Sequence, residues 1–387
     1  MSLLATPVRH VYGIDIIRFL AAVGVAGFHF TWKDDAHAAD CPWGWVGVEV
    51  FFVVSGFVIA GAAQGSNPAS FAFNRFLRLY PAAWICGLTG AIVLLWLHLA
   101  GYPYPRPATL TVGSLWGSMA LVSDAHIATA YWTLPVEIAF YALVACLMSR
   151  PNPGVAAARL LAAISAPYFL CLVLDQAGIV AAPWTDLGYG LANMLLVRHG
   201  PYFVVGLFIH RWIAERRGLA GLDWGLFGLV VALSLAGIVV RAHQLAPLYA
   251  GPVDWRGLAA TASAIFAAAV VALGIATAFN ERLSPPAGAR SALRAIGLMT
   301  YPYYLLHEIV GLTIMLLAAK AGLSFMAGLG SALTSVGLVS YLVVRAEGPA
   351  RRAIRRAVVL GGERLRLWRG LSIPAAGRLR ERGRRAA

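Results

Sequence analysis

Charge is what this chain lacks most. Only 12% of its 387 residues are Asp, Glu, Lys or Arg, about half the share of a soluble domain, and that excludes an ordinary cytosolic enzyme. Acidic residues are the scarcest, 17 against 31 Lys and Arg. Cysteine is nearly absent. Four cysteines, three of them inside apolar runs (Cys86, Cys146, Cys171), cannot form a disulfide framework. No CxxC or His/Cys spacing suggests a structural metal. Glycine and proline are plentiful, 40 and 20, but spread along the chain, which excludes collagen and low-complexity disorder.

What is present is apolar. Hydrophobic residues make up 60% of the chain, and the mean hydropathy is +0.72. The net charge of +14 would suit a nucleic-acid binder, but its location argues otherwise: residues 345–387 hold 13 arginines and three glutamates. The remainder is nearly balanced. The pattern is that of a membrane protein with a basic cytoplasmic tail and no nucleic-acid partner.

A spanning helix needs roughly 20 mostly apolar residues. Ten segments qualify or nearly do: 11–31, 44–63, 80–100, 131–148, 157–175, 192–212, 224–241, 257–279, 296–318 and 324–345. The sixth is the weakest, because Gly200 and Pro201 interrupt it. The apolar stretch 108–123 is short, so it reads as a re-entrant or interfacial piece of a long loop. Arg18 and the length of the first segment argue against a cleavable signal peptide. With a cytoplasmic N-terminus, 24 of the 31 Lys and Arg fall on inside segments and six outside, with Arg18 in the membrane; without the tail the split is 11 to 6. Both termini are therefore expected inside. The expected fold class is an all-α membrane protein of about ten transmembrane helices. Residues 1–345 form the membrane domain and 346–387 a basic tail, whose stretch from Arg351 to Trp368 reads as amphipathic helix on the anionic inner leaflet, or simply as a topology anchor.

Ionisable side chains within spans are expensive and default to function. Arg18 and His29 are eleven residues apart, about 20° from the same helix face and ~16 Å apart along the axis. Asp15 precedes them. Glu49 lies about one turn into the second span, with Gly47 and Gly56 permitting close helix approach; as an interfacial glutamate it could equally snorkel. Arg75 and Arg78 share a helix face before Pro81. They suit positive-inside topology, and their guanidinium forks equally suit phosphate. Glu137, after Trp132, is expected at a depth similar to His29, where it would orient the imidazole or pair with another buried polar group. His307 and Glu308 interrupt the ninth span, and a 100° divergence would let at most one face a given cavity.

Five ordered stretches then carry a likeness: IDIIRFLAAVGVAGFHF, GWVGVEVFFVVSGFVIA, FNRFLRLYPAAW, YWTLPVEIAFYAL and YPYYLLHE. Together they resemble the acyltransferase-3 family of integral membrane acyltransferases over nearly the whole chain. The resemblance implies ten core helices and transfer of an acyl group, usually acetyl, from acyl-CoA to an exported or surface carbohydrate. By its motifs, Arg18 and His29 match the intramembrane Arg and the essential His, Arg75 and Arg78 the cytoplasmic RxxR, and Glu137 the Glu of a WSLSVE-like motif. Glu49 stands where the family often has Asp. Ile16 replaces the usual Gly after Asp15, and Thr133–Pro135 reads TLP for the common SLS. A tail of about 40 residues leaves an expectation of a stand-alone transferase with no appended hydrolase domain.

The resulting expectation has catalytic His29 and Glu137, an acyl-CoA site at Arg18, Arg75 and Arg78, and support from Asp15, Glu49, Trp132 and His307. Acetyl-CoA or another acyl-CoA would be the donor, with no metal. A glycan or glycolipid (exopolysaccharide, lipopolysaccharide or similar) would be the acceptor, beside membrane lipids, in the bacterial inner membrane. Intramembrane His, Glu and Arg also suit a proton-coupled transporter or a flippase of a polar or anionic substrate, although no inverted repeat between the halves is seen.

Overall fold

The computed structural model describes residues 10–104, 108–121, 125–176, 178–179, 193–219 and 221–368. Among them no strand occurs, and nine helices are long and apolar enough to cross a membrane: Tyr12–Thr31, Gly44–Ala63, Pro68–Leu99, Thr129–Leu147, Pro153–Asp175, Gly221–Leu248, Trp255–Ala278, Ala287–Lys320 and Phe325–Val358. The chain is an all-α, multi-pass membrane protein. Helices are forced on it because hydrocarbon offers backbone N–H and C=O groups no partner.

The helices are α1 (Tyr12–Thr31), α2 (Gly47–Ala63), α3 (Pro68–Leu99), α4 (Val112–Ala120), α5 (Thr133–Leu147), α6 (Pro153–Gln176), α7 (Gly200–Ile209), α8 (Gly221–Leu245), α9 (Trp255–Ala278), α10 (Ala287–Leu306), α11 (Leu312–Lys320) and α12 (Phe325–Trp368). The chain divides into two units, Met1–Val344 and Arg345–Ala387. The second is helical as far as Trp368, and within it Arg351 pairs with Glu347 one turn earlier.

The weak sixth segment becomes the short α7, carried on to Ala214 by a π-helical turn. Pro201 falls in its first turn, where a missing N–H costs nothing. All ten residues of α7 are buried, and α2 is its main neighbour. The two backbones nearly touch: a Cβ on Gly56 would meet the Phe203 carbonyl oxygen at 2.0 Å, and one on Gly206 the Val53 oxygen at 1.9 Å. Small residues allow this closeness in a membrane, where packing rather than the hydrophobic effect joins helices.

Residues 125–132 fold back into the bundle, and α4 packs against α3. Thr111 and Ser114 make reciprocal side-chain-to-backbone bonds at 3.0 and 2.9 Å, a capping box that starts α4. Tyr80 and Trp84 of α3 donate to the carbonyls of Ala120 and Met119 at 3.1 and 2.9 Å, tying down its far end. Ile127 N–H then donates to Ser118 Oγ at 2.9 Å, and the fully buried Tyr131 donates its hydroxyl to Ala83 O at 3.0 Å. Irregular backbone is tolerated at residues 127–131 because protein groups meet its polar atoms.

Candidate active site

His29 lies near the end of α1, and its carboxylate partner is Glu308. Nδ1 of His29 is 3.2 Å from Oε1 of Glu308, whose side chain is almost fully buried. Thr129 donates its hydroxyl to that same Oε1, and Ala130 N–H donates to Oε2 at 3.0 Å. A carboxylate against Nδ1 holds the proton there and leaves Nε2 with its lone pair. That is the state of a histidine ready to take a proton.

His307 joins the pair. Its ring centroid is 5.0 Å from that of His29. Nδ1 of His307 donates to Tyr304 O at 2.6 Å, and its buried Nε2 has no hydrogen-bond partner. His307–Gly311 forms a π-helical turn. The wider turn changes the angular step between neighbours, and both His307 and Glu308 face His29. Gly311 makes room for this: a Cβ there would lie 2.3 Å from Phe30 Cζ, next to His29. Ligand atoms of His29, His307 and Glu308 all lie within 4.8 Å of one another, so a divalent cation would find three donors here.

His29 lines a cavity of about 1220 Å³. Aromatic rings of Trp32, Trp132 and Tyr202 line it, with Glu49, Arg198 and Arg241 among its charged groups. A volume above the usual 300–1,000 Å³ of small-molecule sites admits a substrate of more than one sugar ring.

A second, smaller cavity of about 90 Å³ is lined by Arg18, Arg75, Arg78, Glu137, Tyr141 and Tyr301, among others. Ser55 Oγ donates to Glu137 Oε1 at 2.9 Å, and the Tyr141 hydroxyl donates to the same oxygen. Arg75 lies over the rings of Phe71 and Tyr141 at 5.9 and 6.0 Å, and Arg78 over Tyr301 at 5.9 Å. Val48 and Tyr304 line both cavities and so stand between them. The Arg18–His29 stripe of α1 thus reaches a different cavity at each end.

Glu137 is where sequence reasoning went astray. The expected pairing with His29 is corrected: Glu137 is held by Ser55 and Tyr141 beside the arginines, and Glu308 takes the position against His29. The reason is the inward fold of residues 125–132. Ala130 already lies at the level of Glu308, so Glu137, seven residues on, is ~10 Å further along the span. Glu308 was missed as a site residue, although a second intramembrane carboxylate in YPYYLLHE was a legible signal. Trp132 lines the large cavity beside His199, with ring centroids 5.2 Å apart. Asp15 lies apart from both cavities, 2.6 Å from His10 Nε2 and against Gly297 of α10.

The family model described as an acyltransferase domain, of the acyltransferase-3 family, matches residues 11–345, nearly the whole of the helical bundle. No curated protein and no solved structure matches the chain significantly.

Proposed function

The chain belongs to the acyltransferase-3 family, and from that premise we propose that it moves an acyl group, acetyl in the first instance, from cytoplasmic acyl-CoA to a hydroxyl of an extracytoplasmic saccharide. The observation that carries the proposal is the His29–Glu308 dyad, whose histidine lines a cavity large enough for a glycan.

His29 Nε2 takes the proton of the acceptor hydroxyl, whose own pKa is far above 7. The oxygen attacks the thioester carbonyl, a C–O bond forms, and the C–S bond breaks. The imidazolium returns its proton to the leaving thiolate, releasing CoA as the thiol. Glu308 holds the imidazole in the required tautomer and stabilises its charged form. Arg75 and Arg78 hold the anionic donor by its phosphates, with Arg18 deeper on the path. A 90 Å³ cavity admits the acyl end of the donor and not its nucleotide, so the nucleotide would stay outside while the thioester threads past Tyr304 towards His29.

This reading puts the protein in the bacterial inner membrane with both termini in the cytoplasm. Its support is the excess of arginine on one set of loops. The test is reconstitution into lipid vesicles with labelled acetyl-CoA and extracted surface glycan. Release of CoA matched by label on the glycan, and lost in His29→Ala at equal protein, is the expected result. Movement of a solute without release of CoA would instead mark a transporter and overturn the proposal.

A further inference from the structure

We propose that His29, His307 and Glu308 form a binding site for a zinc ion, and that zinc bound there silences transfer by taking the catalytic imidazole. The proposal rests on the reading of His29 as the base of an acyl transfer and adds a regulator of that same site.

Geometry is the first ground. A ligand atom from each of the three side chains lies within 4.8 Å of the other two. His29 Nδ1 and Glu308 Oε1 are 3.2 Å apart. Two ligands that each sit ~2.0–2.1 Å from one tetrahedral zinc stand roughly 3.3 Å from one another. The pair therefore already has the separation that a shared metal needs. Three protein ligands leave a fourth position for an exchangeable water.

Unmet bonding capacity is the second ground. Nδ1 of His307 donates to Tyr304 O at 2.6 Å, which leaves the lone pair on Nε2. That nitrogen is buried and has no hydrogen-bond partner, whereas buried polar atoms normally find one. Histidines that ligate metals commonly hold their other ring N–H against a carbonyl, as His307 does. Glu308 is braced in a similar way, by the Thr129 hydroxyl and by Ala130 N–H at 3.0 Å.

The donor set selects the metal. Two imidazoles and one carboxylate suit zinc, whereas calcium and magnesium prefer oxygen alone. His29 is the way in: its side chain is 21% exposed and lines the large cavity, while His307 and Glu308 are buried. Zinc on Nδ1 of His29 moves the ring proton to Nε2, and the ring stays neutral. Nε2 is then a donor and cannot take the proton of an acceptor hydroxyl. Zinc on Nε2 occupies the lone pair itself. Both modes remove the base.

The test uses the full chain, free of any histidine tag, in lipid nanodiscs after treatment with chelator. Zinc is titrated with neither acyl-CoA nor saccharide present, and bound metal is counted per chain. One zinc should bind, and magnesium should not displace it. His307→Ala and His307→Gln should each weaken binding at least about tenfold, the cost of disturbing even the outer partners of a metal site. The Gln variant keeps a polar side chain but offers no imidazole, which separates a lost ligand from a lost fold. In the parent, saturating zinc should cut transfer of labelled acetyl at least tenfold, and chelator should restore it. Binding of no zinc, equal affinity in both His307 variants, or full transfer at saturating zinc overturns the proposal. Binding is read without either substrate, so a failure there counts against the site, whereas absent CoA release from the metal-free chain with binding intact counts against acyl transfer.

Discussion

Glu308 approaches His29 from an adjacent π-helical turn, Oε1 to Nδ1 at 3.2 Å, and is itself held by Thr129 and Ala130. Three segments distant in sequence thus meet at one imidazole: the end of α1, the residues entering α5, and the turn that carries both His307 and Glu308.

This relationship separates the two carboxylates. Glu308→Gln keeps the shape and loses the charge that stabilises imidazolium. Its kcat should fall by about two to four orders of magnitude, the usual weight of general acid–base catalysis. Glu137→Gln should leave kcat within about threefold and alter the KM for acyl-CoA instead, because it neighbours the arginines. Steady-state kinetics at equal protein decide between them, and the reverse pattern would restore Glu137 as the orienting group.

Arg75→Ala and Arg78→Ala should each raise the KM for acyl-CoA about ten- to a hundredfold, the loss of ~1.5–3 kcal/mol for one charged phosphate contact. The acceptor KM should not change. An unaltered donor KM together with an inverted topology, read by accessibility labelling of a loop cysteine, would show that the pair only anchors orientation.

Tyr304 borders both cavities and packs edge-on against Phe51, with ring centroids 5.4 Å apart. Tyr304→Ala should join the cavities and admit water to the thioester. The expected result is acyl-CoA hydrolysis without acceptor, measured as free CoA and free acetate, with the acceptor-dependent rate reduced. Unchanged hydrolysis would place the donor's path elsewhere.

Gly206→Ala should prevent stable assembly, because the added carbon would meet the Val53 carbonyl oxygen at 1.9 Å and backbone cannot yield as a side-chain tip does. Gly228→Ala has nothing within 4 Å and should be tolerated. Fluorescence-detected size exclusion and melting in detergent compare the two, and equal behaviour would show that α2 and α7 can separate freely.

His29, His307 and Glu308 are spaced to ligate a cation, whereas the proposed transfer uses the imidazole as a base. A chelator should leave the rate unchanged, and micromolar zinc should inhibit by occupying the base. Inhibition should weaken in His307→Ala. Loss of activity in chelator, restored by one metal, would make the cluster a metal centre instead.

The hydropathy pattern by itself determined the all-α membrane architecture, because every span must satisfy its own backbone in lipid and so records its length locally. Helical periodicity also placed Arg18 and His29 on one stripe and Arg75 beside Arg78 on one face, since both relations lie within single helices. The weakness at Gly200 and Pro201 likewise announced the short α7. Only the tertiary structure decided which carboxylate meets His29. That depended on how deeply residues 125–132 fold into the bundle and on the π turn at His307. Both follow from packing between distant segments, Tyr131 under α3 and Gly311 against Phe30, and a periodicity read along one helix carries no information about the depth of its neighbour.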